Sequence, residues 1–329
     1  MVKIAFLSTA HIHTKGFIER VNQLDGVQTT VVWDDVADRG KRYAESAGGR
    51  FEADLATAIA AADVDAFIIC AENTRHMPLL AQALPAGKPI FCEKPVVANR
   101  ADLAEVRALV AAHPKTPLTC GYFQPFGAVD QGIKTLIDSG ALGKITRIRF
   151  RNAHNAAYGR WFDNPDLNWF YQTELSGGGA FMDMGSHALH YVRSVFGPVT
   201  EARAEIRNES GEYPCDDYGI ASLRFANGIL GTIEAGWTQT GGIHGLEVVG
   251  REGTIYNTTD GYRFVAPGKT PEPIAPGEAQ LTRVDRLVAI VRGELPAAEL
   301  AADLPCILDT VAITSACYES ADTGVWTAV

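Results

Sequence analysis

The sequence predicts a two-part α/β protein, with a doubly wound parallel sheet in front and an antiparallel or mixed sheet, covered on one face, behind. Three observations predict this. Over residues 1–120, short apolar runs alternate with segments whose apolar residues recur at helical spacing. After Gly121 the runs lengthen and alternate with period two. The first apolar run also turns at Leu7–Gly16, LSTAHIHTKG, directly into a helical pattern, as the opening unit of a doubly wound sheet does.

The strands of the first half are the runs Lys3–Leu7, Thr29–Trp33, Ala66–Cys70, Pro89–Cys92 and Leu118–Cys120. Their near-continuous apolar character suits strands buried on both faces. Segments such as ADLATAIAAA and ADLAEVRALVAAH supply the helices, and right-handed crossovers order the strands. In the second half, ITRIRFRNAH, VTEARAEIRN, YGIASLRFANG, ILGTIEAGWTQT, IHGLEVVG and GTIYNTT read as strands. Helices interrupt them at FGAVDQGIKTLIDSG and GGAFMDMGSHALHYVRSVFG, and LPCILDTVAITSACYESA reads as a closing helix. The change of pattern divides the chain into domains at residues 1–120 and 121–329.

Composition narrows the function classes. Against 29 Lys and Arg stand 39 Asp and Glu, a net charge of -10 with no basic block, which argues against nucleic acid and anionic membrane surfaces. The six cysteines form no CxxC pair, so a reducing, cytoplasmic setting is expected. The N-terminal apolar run is too short for a signal peptide, and no stretch is expected to span a bilayer.

In an open α/β sheet, ligands bind beyond the carboxyl ends of the strands. That rule selects LSTAHIHT, Asp34-Asp35, AENTRH and Glu93-Lys94-Pro95. Asp34 lies 21 residues past His13, where a carboxylate accepts from a ribose diol and repels a 2′-phosphate, favouring NAD over NADP. Its alternative is an ordinary strand-end acid. Arg39 and Lys41 argue the reverse but fit equally well on an exposed helix face. Lys94, held by the following proline, is placed to aim an ammonium at a substrate oxygen. In GGGAFMDMGSH, Asp183 and His187 are four residues apart and share a face if the segment is helical. An acid beside an imidazole tunes a general base. Asp183, His187 and His190 also resemble a metal-binding helix face, but with no companion ligand cluster no metal is expected.

These residues resemble the Gfo/Idh/MocA oxidoreductases, through VDAFIICAENTRHMPLLAQALPAGKPIFCEKPV, LIDSGALGKITRIRF, GGGAFMDMGSHALH and DDYGIASLRFANGILGTIEAGW. The resemblance implies an N-terminal Rossmann domain and a C-terminal α+β domain with a large, mostly antiparallel open sheet that forms a homodimer or homotetramer. It implies an NAD(P)-dependent dehydrogenase acting on a sugar, inositol or polyol. Carried over, Lys94, Asp183 and His187 are catalytic: His187 takes the hydroxyl proton, Lys94 steadies the developing oxyanion, and Asp183 orients His187 or contacts a substrate hydroxyl. Cofactor contacts fall to Ser8, Thr9, Ala10, His11, Ile12 and His13, to Asp34 and Asp35, to Ala71, Glu72, Asn73 and His76, and to Glu93.

The sequence departs from the family at three places. Ser8, Ala10 and His13 stand where the phosphate turn has glycines, Pro125-Phe126-Gly127-Ala128 replaces Arg-Phe-x-Pro, and His190 replaces an acid. The small Ser8 and Ala10 suit the turn, whose helix-start amides still face an anion, and His11 and His13 are candidates for phosphate or substrate contact. Tyr122 and Gln124, with His154, Tyr158, Arg160 and Trp161 from a long aromatic loop, are the expected substrate contacts. Two other readings stay open: a redox-neutral elimination or glycoside cleavage using NAD transiently, and a non-catalytic ligand-binding protein of the same fold.

Overall fold

The computed structural model describes residues 1–329, apart from the side chain of Ala297. The first half runs β1 (Val2–Thr9), α1 (Thr14–Gln23), β2 (Val27–Trp33), α2 (Ala37–Ala47), β3 (Arg50–Glu52), α3 (Leu55–Ala60), β4 (Ala66–Cys70) and α4 (His76–Ala83). It ends with β5 (Ile90–Cys92), α5 (Arg100–Ala112) and β6 (Leu118–Cys120). The second half opens with α6 (Ala128–Asp138), β7 (Ile145–Ala153), the short α7 (Thr173–Ser176) and α8 (Ser186–Phe196). There follow β8 (Val199–Arg207), β9 (Tyr218–Phe225), β10 (Leu230–Gly236), β11 (Gly245–Gly250), β12 (Thr254–Thr258), β13 (Gly261–Val265) and β14 (Glu272–Pro273). Two helices, α9 (Arg283–Arg292) and α10 (Ala297–Thr323), and the brief β15 (Thr327–Ala328) close the chain.

Among the described residues the strands form two sheets. The first is parallel throughout with order β3-β2-β1-β4-β5-β6, the order that places a ligand crevice at the carboxyl ends of β1 and β4. The second has nine strands, antiparallel except where β10 runs parallel to β7. Strand β3, which the apolar pattern did not reveal, is a three-residue edge with no buried position.

The two layers share helices. Val284, Leu287 and Val288 of α9 join the core under β1 and β2, and α10 places Ile307, Val311 and Ala312 in the first-half core. Further along α10, Ile313, Ala316 and Cys317 enter the core beneath the second sheet. The pattern boundary near residue 120 is therefore crossed by helices that return to the first sheet. Helix α10 is long and apolar enough, by length and composition, to cross a membrane over Ala298–Thr323, contrary to the expectation that no stretch is. From Ile307 onward its buried apolar positions, Ile307, Val311, Ala312, Ile313, Ala316 and Cys317, belong to two protein cores.

Candidate active site

Strand β1 delivers Ser8 to His13 to the crevice between the sheets. Ser8 has φ 68°, the left-handed conformation that glycine adopts at no steric cost, so the turn keeps the first glycine's geometry without the glycine. Valine, branched at Cβ, tolerates that region worst. Ser8→Val is expected to destabilise the protein by about 2 kcal/mol in urea unfolding, while Ser8→Gly stays within roughly 1 kcal/mol. Equal stabilities would show that the turn relaxes. The helix-start amides are less available than expected: the His11 N–H donates to Cys70 O at 2.9 Å, and the His13 N–H to His11 Nδ1 at 3.3 Å.

A cavity of about 260 Å³ lies at the carboxyl ends of β1, β2 and β4, walled by Ser8, Trp33, Asp35, Ala71, Glu72 and Arg75. Asp34 does not open into it. Its carboxylate accepts from the Thr9 N–H at 2.8 Å, from the Val36 N–H at 2.8 Å, and from Arg39 Nε and Nη2 at 2.9 and 2.8 Å. Every lone pair is used, so Asp34 fixes the strand end rather than reading a ribose. Arg39 is buried in that pair, not exposed on a helix face. The acids left at the cavity are Asp35, which pairs with Arg39 and Arg75, and Glu72, whose buried Oε2 has no hydrogen-bond partner and lies 3.8 Å from Arg75 Nη1. A buried acceptor that receives no hydrogen bond at this place suits a ribose hydroxyl. His76 is also structural: its ring nitrogens contact Pro95 O at 2.8 Å and Ala71 O at 3.2 Å, tying β4 to the Lys94 loop. Asn73 Nδ2 donates to Ser176 O at 2.8 Å, across to the second half.

A second cavity, of about 230 Å³, opens between the halves and is lined by His11, Ile12, His13, Lys94, Asp183 and His187 together with His154, Trp161, Asn152 and Phe123. The Lys94 side chain is 3 % exposed, and its ammonium pairs with Asp183 Oδ1 and also reaches Asp183 O at 3.3 Å. The other Asp183 oxygen accepts from Trp237 Nε1 at 2.9 Å. Burial alone would raise the Asp183 carboxyl, but the charge and hydrogen bond of Lys94 outweigh it and hold the group well below the usual carboxylate range.

The expected Asp183–His187 couple is not formed, because both carboxylate oxygens face Lys94 and Trp237. Phe181–Gly185 is a π-helical turn, and Asp183 and His187 still line the same cavity, with the carboxylate committed to Lys94 and Trp237 rather than to the imidazole. Asp216 caps that turn, accepting from the Gly179 N–H at 2.7 Å and the Phe181 N–H at 2.8 Å. The glycine triplet packs on the chain itself: a Cβ at Gly177 would sit 2.5 Å from Ala98 Cβ, and one at Gly179 would sit 2.0 Å from Asp216 O. His187 has its Nδ1 buried without a partner and packs 4.8 Å from Phe123 and edge-on to Tyr122 at 5.6 Å. Burial first, and the Lys94 charge second, push its imidazole well below the ordinary histidine range, so the ring is neutral.

The remaining expected contacts divide. His154 and Trp161 stack at 4.7 Å and reach the cavity. Tyr122 is buried behind it, stacked on His190 at 4.1 Å, and Gln124 offers its carbonyl to His190 Nδ1 at 3.0 Å. His190 lies outside the cavity that Asp183 and His187 line. Tyr158 is half exposed, outside the cavity. Arg160 pairs with Asp163 and Glu212, each at 3.0 Å, and does not line the cavity. The pattern reading missed Trp237 and Asp216. A tryptophan closing the alternating run ILGTIEAGW, with one N–H to satisfy, was the available signal for the first.

Comparison with known proteins settles the ancestry. Residues 3–122 match the model described as "Oxidoreductase family, NAD-binding Rossmann fold", and residues 131–256 match the GFO/IDH/MocA C-terminal domain. The chain belongs to the Gfo/Idh/MocA oxidoreductase family. An inositol 2-dehydrogenase of Rhizobium meliloti is 29% identical over 231 residues, 67% of this chain and 66% of that protein. An uncharacterized oxidoreductase of Bacillus subtilis, YrbE, is 26% identical over 225 residues, 66% of this chain and 62% of that protein. The chain thus matches about two thirds of the length of these curated relatives, or slightly less. The structure of an inositol dehydrogenase homolog from Azotobacter vinelandii, complexed with NAD+, shares the fold with TM-score 0.82 at 18% identity, covering 100% of this chain and 97% of that one. Within the family frame, the first half is the NAD-binding Rossmann domain, and the crevice, where Glu72 Oε2 receives no hydrogen bond, is compatible with that cofactor.

Proposed function

We propose that this oxidoreductase is a dehydrogenase moving a hydride between NAD and a hydroxyl-bearing carbon of a sugar, inositol or related polyol. One observation carries the reading: Lys94, Asp183 and the neutral His187 converge on one cavity between the Rossmann domain and the second sheet. Asp35, Glu72 and the turn Ser8–His13 would hold the dinucleotide, with the two acids disfavouring a 2′-phosphate. When bound, its nicotinamide supplies the hydride acceptor or donor. His187, neutral and desolvated, takes the hydroxyl proton in the oxidation direction and returns it in reduction. The Lys94 ammonium, fixed by Asp183, steadies negative charge on the reacting oxygen. Trp237 and Lys94 together keep Asp183 ionised and in place. The stacked His154 and Trp161 offer an aromatic face and a polar edge to a polyol. A homodimer or homotetramer through the second sheet belongs to the same proposal, and light scattering on the purified protein measures it.

The test is calorimetry with NAD and NADP, followed by a screen for NADH release across sugars, inositols and sugar acids. Binding of NAD in preference to NADP, with NADH release on a polyol, is the expected result. Binding of neither nucleotide would sink the proposal, and tightly held NAD without net NADH would favour the redox-neutral reading instead.

A further inference from the structure

The histidines that replaced the glycine turn meet the glutamate of the Lys94 loop. His11 and His13, after β1, and Glu93, at the end of β5, place three donor atoms within 4.8 Å of one another. His13 Nδ1 lies 2.9 Å and His11 Nδ1 lies 3.7 Å from the same oxygen, Glu93 Oε1. The rings stand 4.7 Å apart and inclined at 60°, so they converge on the carboxylate from two directions. Glu93 and His11 are buried, whereas the His13 side chain is 37 % exposed, leaving the cluster closed behind and open towards the cavity.

The charges also ask for a cation. Glu93 Oε2 accepts the Lys94 backbone N–H at 2.7 Å, but the Lys94 ammonium is committed to Asp183. Among the described residues, no lysine or arginine forms a salt bridge with this fully buried carboxylate, and His11 Nδ1, which faces it, accepts only the long contact from the His13 N–H at 3.3 Å. Buried carboxylates are normally paired or metal-bound.

We propose that His11, His13 and Glu93 bind a divalent transition metal of the zinc, cobalt and nickel class. Two imidazoles and one carboxylate are the donor set these ions take, whereas magnesium and calcium prefer oxygen alone. Bonds of about 2.0–2.2 Å to a tetrahedral ion set donors roughly 3.3 Å apart. The His13–Glu93 contact at 2.9 Å would open slightly and the His11–Glu93 contact at 3.7 Å would close slightly. An ion held at His13 Nδ1 requires the tautomer that carries its proton on Nε2. The remaining coordination position falls on the cavity side and takes an oxygen of whatever occupies the cavity. The site shares His11 and His13 with the turn proposed to hold the dinucleotide, and metal binding, measured without nucleotide, stands or falls apart from the dehydrogenase reading.

The experiment titrates Co²⁺, then Zn²⁺, into tag-free, chelator-treated full-length protein, by calorimetry and visible absorption. One Co²⁺ per chain with intense tetrahedral d–d bands, displaced by Zn²⁺, is expected. His13→Ala and His11→Ala should each weaken Co²⁺ affinity by at least about 10- to 100-fold, the loss that even outer-shell partners cause. His13 is partly exposed, so its variant carries the test if the buried Glu93→Gln or His11→Ala fails to fold. His113→Ala, at the far end of α5, should bind as the unsubstituted protein does. Absence of stoichiometric binding, affinity unmoved by His13→Ala, or an equal loss in His113→Ala each overturns the site.

Discussion

Lys94→Ala is expected to lower kcat/KM for polyol oxidation by about 100- to 1,000-fold, the cost of losing one fixed donor at a developing charge. It should also weaken the fold. The Lys94 side chain is 3 % exposed and its ammonium is the cation that balances Asp183, whose side chain is only 15 % exposed. Removing one partner of a buried ion pair leaves an uncompensated charge, a loss of about 3–5 kcal/mol when burial is complete and somewhat less here. The two effects separate in the double variant. Lys94→Ala with Asp183→Asn removes both charges, and the amide oxygen that replaces the carboxylate still accepts from Trp237. Urea unfolding should show most of the stability restored, while NADH release stays low. Turnover near that of the unsubstituted protein in Lys94→Ala would defeat the catalytic assignment, and stability recovered without the second substitution would defeat the ion-pair argument.

The parallel half was legible because its strands are buried on both faces and therefore read as unbroken apolar runs. Strand β3 was not, since an edge strand of three half-exposed residues carries no such run. The return of α9 and α10 to the first sheet was not legible either, because periodicity names a helix and its buried face but not the surface that covers it. The same limit governs the site. Lys94, Asp183 and His187, singled out by their spacing and by the family resemblance, line one cavity. Asp34 occupies the expected position for a ribose acid, yet Arg39, five residues on, and Thr9, on the adjacent strand, consume its carboxylate. Arg160 is claimed by Glu212, fifty-two residues away in sequence. Whether a polar side chain is free to meet a ligand depends on such partners, and a single sequence does not display them. Asp183 is the clearest example: it shares a cavity with His187, four residues on, yet its two oxygens go to Lys94 and to Trp237, fifty-four residues away in sequence.

His187→Gln is expected to lower kcat by about 100- to 10,000-fold, the range for loss of a positioned general base. Stability should change by no more than roughly 1 kcal/mol, because the buried Nδ1 it replaces has no partner to lose and the new side chain is of similar length. That split distinguishes a proton-transfer role from a packing role, which would move both. The pH profile adds a second criterion. The active form of the base is the neutral ring, and burial together with the Lys94 charge holds its pKa well below the ordinary value. The acidic limb of kcat/KM should therefore lie below about pH 6.5, the unperturbed histidine pKa, and should vanish in His187→Gln. In Lys94→Ala the ammonium is gone while the burial remains, so the imidazole protonates more readily. The limb of the residual activity should then move upward, but only part of the way. A limb that stays fixed would leave burial as the sole cause of the depression, and a limb that reaches the ordinary histidine value would mean that the lysine charge, not the cavity wall, keeps the base neutral.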